Sequence, residues 1–88
     1  MDLELIRKQI DQVDQELVSL LEKRMALVEQ VVAFKKTSGK AVFDSKREEA
    51  IFKKVRSLIK NDQYQESIVS IFSDILKHSR HYQDKNIK

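Results

Sequence analysis

The feature that most constrains the fold of this chain is an uninterrupted amphipathic stretch from Leu3 to Lys36. The stretch contains no Gly and no Pro, and apolar residues recur along it at alternating spacings of three and four, the period of a helical seam. The seam consists of Leu3, Ile6, Ile10, Val13, Leu17, Leu20, Leu27, Val31 and Phe34, and its single break is Arg24, between Leu20 and Leu27. A single helix over this range is about 50 Å long at about 1.5 Å per residue, far longer than a compact domain of this size needs. We therefore predict a rod around which the rest of the chain is arranged.

This rod needs cover on more than one side. Additional apolar residues widen the stripe beyond one seam, and these are Leu5, Leu21, Met25, Val28 and Val32. The chain has 88 residues, which favours one domain with a thin core of its own. Oligomerisation is a natural way to complete such a core.

The remaining pattern predicts two shorter helices and no strands. The only Gly, Gly39, follows Ser38 at a position suited to a helix end. We predict helices over about 3–37, 45–60 and 65–84, with fraying from Asp84 onward. No strand-like alternation bounded by turn residues occurs. The fold class is therefore all-α, as one domain over residues 1–88.

Composition narrows the classes of protein to which the chain can belong. The formal net charge is +3, with acidic residues interspersed among the basic ones, unlike the basic stripe of nucleic-acid-binding proteins. The N-terminus lacks the pattern of a signal peptide, no transmembrane segment occurs, and no Cys is available for disulfides or thiolate metal sites. We expect a cytoplasmic protein without nucleic-acid or membrane partners, which binds a small anionic ligand.

Three cations lie on or beside the apolar stripe, at Arg7, Arg24 and Lys35. A cation on a buried face carries a large desolvation cost unless an anion meets it. For Arg24 the structural alternatives are an ion pair with Glu22, Glu29 or an acid of a partner chain, or a polar residue that sets helix register. For Lys35 the alternative is a favourable interaction with the helix dipole.

The spacing of the two arginines predicts a dimer if both bind one ligand. Arg7 and Arg24 are 17 positions apart, or about 25 Å along a straight helix. An antiparallel copy, with its two-fold axis around Val18 to Leu20, brings Arg7 of one chain beside the stretch between Arg24 and Lys35 of the other. The site would then be shared between subunits.

Several fragments, taken in order, resemble the all-helical chorismate mutases. They are Ile6-Arg7 with Ile10 and Asp14, then Leu20 to Arg24, Val31 to Lys35, Val42 to Glu48, Ile75 to Ser79, and Gln83. The resemblance implies an intertwined homodimer of three-helix chains, with two equivalent sites that each take one arginine from the neighbouring subunit. It also implies the conversion of chorismate to prephenate in aromatic amino-acid biosynthesis, an intramolecular [3,3] rearrangement that needs no metal or cofactor.

The same resemblance assigns roles to individual residues. Lys35 and Gln83 would donate hydrogen bonds to the ether oxygen of the substrate. Arg24, with Arg7 of the partner subunit, would bind the two substrate carboxylates through bidentate contacts. The remaining site residues would be Ser79 at the ring carboxylate, Asp44 and Glu48 at the ring hydroxyl, and Arg47 as an orienting or substrate-contacting charge.

Other interpretations of these residues remain open at this level. Glu48 could form a capping box with Ser45, and Ser79 and Gln83 could be exposed polar residues at a helix end. A histidine pair, His78 and His81, is more typical of a solvated face than of a metal site. Two other functions compete: an isochorismate-pyruvate lyase on the same scaffold, and a non-enzymatic helical dimerisation module.

Overall fold

The computed structural model describes residues 1–88 and consists of helices without any strand. The elements are α1 (Leu3–Ser38), α2 (Ser45–Leu58), a short 3-10 helix (Asp62–Tyr64) and α3 (Gln65–Asn86). The predicted all-α fold with three helices is therefore confirmed. The molecule measures 55 × 24 × 15 Å, and α1 alone accounts for its long dimension. None of the helices is both long enough and apolar enough to span a membrane.

Asp2 and Gly39, residue types that favour helix ends, cap the two ends of α1. Asp2 precedes the helix, and its side chain accepts a hydrogen bond from the Glu4 N–H at 3.0 Å. At the other end, Gly39 has a φ of 71° and donates its N–H to the Lys35 carbonyl oxygen at 3.0 Å. A residue with a Cβ would be strained in this left-handed conformation. The cap therefore holds Lys35 in the last turn of α1, next to the loop that follows.

The connection from α2 to α3 differs from the prediction. Helix α2 ends at Leu58 rather than near Lys60, because Ile59 adopts an extended conformation with φ −75° and ψ 121°. The predicted stop at Asn61 instead caps the 3-10 helix, where its side chain accepts a hydrogen bond from the Gln63 N–H at 3.0 Å. This 3-10 helix leads directly into α3.

Helix α3 is longer than predicted and lies at the centre of the packing. It continues to Asn86 rather than ending near Asp84, and the Asn86 side chain donates to the Tyr82 carbonyl oxygen at 2.8 Å. Helix α3 packs against both other helices, while α1 and α2 have no direct backbone contact. The small core where the helices meet consists of Val28, Val32, Val55 and Leu76. A space therefore remains between α1 and α2.

The N-terminal half of α1 has no packing partner within the chain. Only six of the 88 residues are buried, and every residue from 7 to 23 is exposed. Large apolar side chains in this exposed part are Ile10, Val13, Leu17, Val18, Leu20 and Leu21. A contiguous apolar surface of this kind is typical of an interaction face.

Candidate active site

A cleft of about 340 Å³ lies among the three helices, a size suited to a small ligand. It combines apolar and charged walls. The lining residues are Arg24, Leu27, Val28, Val31 and Lys35 of α1, Val42 and Asp44 of the loop, Arg47, Glu48 and Ile51 of α2, and Leu76, Ser79, Arg80 and Gln83 of α3.

Every predicted site residue except Arg7 lines this cleft. The residues that the fold brings together are Arg24, Lys35, Asp44, Arg47, Glu48, Ser79 and Gln83. Arg7 lies near the far end of α1, where it is exposed and its Nη1 contacts the Glu4 Oε1 at 3.2 Å. A single chain therefore assembles the cleft without Arg7.

A short series of hydrogen bonds joins Lys35 to α3. The Lys35 Nζ donates to the Gln83 Oε1 at 2.8 Å and to the Val42 carbonyl oxygen at 2.9 Å. The Gln83 Nε2 in turn donates to the Ser79 Oγ at 3.4 Å, across one turn of α3. Ser79 and Gln83 are only 6% and 7% exposed, so their interpretation as exposed helix-end residues is wrong. The dipole of α1 favours Lys35 as well, but its ammonium points to polar partners in the cleft.

Arg24 is a partly buried cation that forms no ion pair within the chain. Burial, and after it the neighbouring Arg47 guanidinium, lower the pKa of Arg24 from its ordinary value. Neither Glu22 nor Glu29 pairs with it, and Glu29 accepts a hydrogen bond from the Tyr82 hydroxyl, which raises the pKa of that hydroxyl. Two guanidinium groups thus lie close together in the cleft, and that of Arg24 has no carboxylate partner.

Asp44 and Glu48 form part of the wall that α2 contributes. Asp44 is the N-cap of α2, and its side chain accepts a hydrogen bond from the Arg47 N–H at 3.0 Å. Because Asp44 takes this position, the capping box between Ser45 and Glu48 does not form. The Glu48 carboxylate instead contacts Arg80, whose Nη1 lies 2.5 Å from each of its oxygens.

Arg80 is a cleft residue that was not predicted from the sequence. On α3 it shares one helix face with Leu76, Ser79 and Gln83, at spacings of three and four. The same periodicity that placed Ser79 and Gln83 on this face could therefore have placed Arg80 there. Its partner could not be found that way, because Glu48 is 32 positions away in the sequence.

The histidine pair on α3 lies outside the cleft. The rings of His78 and His81 are 6.1 Å apart in an edge-to-face arrangement, and both residues are exposed. No group of three or more His, Cys, Asp or Glu side chains within residues 1–88 is arranged to hold a metal ion.

The arrangement of charges suits a small anion that also carries a hydroxyl group. Arg24 and Lys35 of α1 and Gln83 of α3 bring guanidinium, ammonium and amide groups to the cleft, and Glu48 of α2 supplies a carboxylate as an acceptor. Apolar side chains such as Val31 and Ile51 form the rest of the wall, against which an apolar ring of a ligand can pack. Such a cleft can hold a ligand in one conformation and stabilise negative charge on it.

Comparison with known proteins identifies the reaction. Residues 6–84 match the family described as Chorismate mutase type II. A curated protein named chorismate mutase, from Methanocaldococcus jannaschii, is 30% identical over 84 residues, which cover 94% of this chain and 85% of that protein. No solved structure matches the chain. These matches favour the mutase over both competing functions. The chain therefore belongs to the type II chorismate mutase family, whose substrate is chorismate, and it is an isomerase.

Proposed function

We propose that the cleft is the site at which chorismate rearranges to prephenate, and that Arg24 binds one substrate carboxylate there. The observation that carries this proposal is the unpaired, partly buried Arg24 guanidinium beside Arg47. Folding has already removed part of the water around this guanidinium. It therefore gains more binding free energy from a carboxylate than an exposed guanidinium does. Arginine also matches a carboxylate through two parallel hydrogen bonds.

Lys35 and Gln83 stabilise the transition state in this proposal. The rearrangement breaks an ether C–O bond while a C–C bond forms, and the ether oxygen gains negative charge on the way. The Lys35 Nζ lies 2.8 Å from the Gln83 Oε1, so the ammonium and the amide that we assign to the ether oxygen are neighbours in the cleft. The Gln83 Nε2 has only a long contact of 3.4 Å to Ser79, which leaves it able to donate to a ligand. Donors already aimed at this oxygen act most strongly in the transition state.

The cleft also restricts the conformation of the substrate. The enolpyruvyl arm must lie over the ring before the new bond can form, and holding it there removes conformational freedom in advance. Ser79 then assists at the ring carboxylate, and Asp44 and Glu48 hold the ring hydroxyl. Arg47, at the start of α2, orients these groups or contacts the substrate. No nucleophile or proton transfer is required by this reaction.

A second copy of the chain completes the site in an intertwined homodimer. The support is the exposed apolar face between residues 7 and 23 of α1, since each Leu or Val that becomes fully buried adds about 1.5–3 kcal/mol. An antiparallel α1 covers this face and brings Arg7 of the partner subunit to the second carboxylate. The resulting enzyme would act in aromatic amino-acid biosynthesis in the cytoplasm.

The reaction can be tested with purified protein and chorismate. We expect chorismate absorbance to fall in proportion to protein concentration, with prephenate as the product. Product identification separates this outcome from the lyase, which would release pyruvate together with salicylate when supplied with isochorismate. No loss of chorismate at high protein concentration would remove the enzymatic interpretation.

Gln83→Glu is expected to shift activity toward acidic pH. An amide donates a hydrogen bond at any pH, whereas a carboxyl group donates only when it is protonated. The variant should therefore lose activity as pH rises, over a range in which the wild-type enzyme does not. Measuring kcat against pH for both proteins checks this, with the exposed Gln63→Glu as a control for the added charge. A profile like that of the wild type would contradict Gln83 as a donor to the ether oxygen.

A further inference from the structure

Arg80 links the α2 side of the cleft to α3. Its Nη1 lies 2.5 Å from both oxygens of Glu48, and the two side chains are 30% and 18% exposed. The Arg80 guanidinium carbon also lies over the Phe43 ring, 5.6 Å from its centroid. Phe43 precedes the Asp44 cap and Glu48 follows it in the first turn of α2. One side chain of α3 therefore contacts the chain on both sides of this cap.

These contacts lie at the wall that α2 contributes to the cleft. The backbones of α1 and α2 have no direct contact, so the distance between their charged groups depends on how each helix packs against α3. Arg80 provides a charged anchor between α3 and α2. A charge-assisted contact of this kind is stronger and more directional than a neutral one.

Arg80 also keeps Glu48 away from the other cations of the cleft. Glu48 lines the same cleft as Arg24 and Arg47, yet it forms its ion pair with Arg80 alone. Without Arg80, the cations left in the cleft to pair with this carboxylate would be Arg24, Lys35 and Arg47. It would then neutralise the charges that substrate carboxylates need.

We propose that Arg80 is a positioning residue of this enzyme, acting through Glu48 rather than through the substrate. It holds the Glu48 carboxylate on the α2 side of the cleft and so leaves Arg24 free for the substrate. This inference rests on the proposed function of the cleft. Both contacts to Glu48 come from a single nitrogen, so a lysine ammonium can replace them in part, whereas an apolar side chain cannot.

The test is a double-mutant cycle in which kcat and KM for chorismate are measured. Arg80→Met is expected to raise KM by about tenfold to a hundredfold, as expected for loss of a contact to a charged group, with a smaller change in kcat. Arg80→Lys should recover most of this loss. In a Glu48→Gln background, Arg80→Met should change KM by less than about twofold, because coupled residues are not additive. An equal effect of Arg80→Met in both backgrounds, or no effect in either, would overturn the proposal.

A matched control is Arg56→Met. Arg56 lies over the Phe52 ring at 6.0 Å, much as Arg80 lies over Phe43, but it is exposed and outside the cleft. It should leave KM unchanged. The Lys35→Ala variant distinguishes failure of the two proposals. Wild-type kinetics in that variant would reject the cleft as the active site. An inactive Lys35→Ala together with an unaffected Arg80→Met would reject only the role of Arg80.

Discussion

Replacing Lys35 with alanine is expected to lower kcat by about 10²–10³-fold, the usual effect of removing one donor from a site where charge develops. The Lys35 ammonium lies in the cleft with Gln83 and the Val42 carbonyl oxygen as its partners. The substitution leaves those acceptors in a cleft that water can enter, so the fold should persist. Initial rates of chorismate loss give kcat, and circular dichroism verifies the helices.

Lys36→Ala is the matched control for this prediction. Lys36 is the other basic residue in the last turn of α1, and it is exposed outside the cleft. Both lysines interact with the same end of the helix dipole, so both variants should change stability slightly and similarly. Only Lys35→Ala should lose turnover. Similar kcat values in the two variants would mean that Lys35 serves the helix end and not the reaction.

The helices could be predicted because local signals determine them. The seam from Leu3 to Phe34 and the left-handed position at Gly39 are properties of neighbouring residues, and α1 follows them. The end of α2 could not be predicted as well. Ile59 has the right spacing to continue the helix, but it becomes extended where the chain turns into the Asn61 cap. The extended conformation of Ile59, rather than the apolar spacing, therefore sets the end of α2.

The candidate site could be predicted in part, because its charged residues interrupt apolar faces. Arg24 stands out in the seam of α1, and Gln83 follows the apolar row of α3, and both line the cleft. The contact between Arg80 and Glu48, in contrast, could not be predicted. It joins two helices, and a sequence with this many charged residues offers several basic partners for each carboxylate. Pairing of that kind depends on the packing of α2 and α3, which no local pattern contains.

The exposed half of α1 connects the fold to the location of Arg7. A helix with apolar residues on several sides is stable in water only when those sides are covered, and within the chain α3 packs only against its C-terminal half. The length of α1, which leaves its N-terminal half without cover, also places Arg7 about 25 Å from Arg24 along the helix axis. Dimerisation would therefore bury the apolar surface and also supply a cation for the second substrate carboxylate.

Arg7→Ala and Arg24→Ala are each expected to have little activity alone, and mixing them is expected to restore activity equal to about a quarter of the wild-type sites. In the proposed dimer each site takes Arg7 from one chain and Arg24 from the other. A heterodimer of the two variants therefore contains one site with both changes and one with neither. Random exchange makes about half of the dimers heterodimers, which sets the expected recovery.

The control for this experiment is a mixture of Arg24→Ala with Lys35→Ala. Both residues belong to the cleft of the same chain, so each site of that heterodimer lacks one of them and no activity should return. Sedimentation should show dimers for every variant, since removing an unpaired, partly buried cation such as Arg24 takes no ion pair from the fold. If exchange is verified with differently tagged chains and the Arg7→Ala mixture stays inactive, the shared site is wrong. Equal recovery in both mixtures would also contradict it, because recovery would then not depend on which subunit carries Arg7.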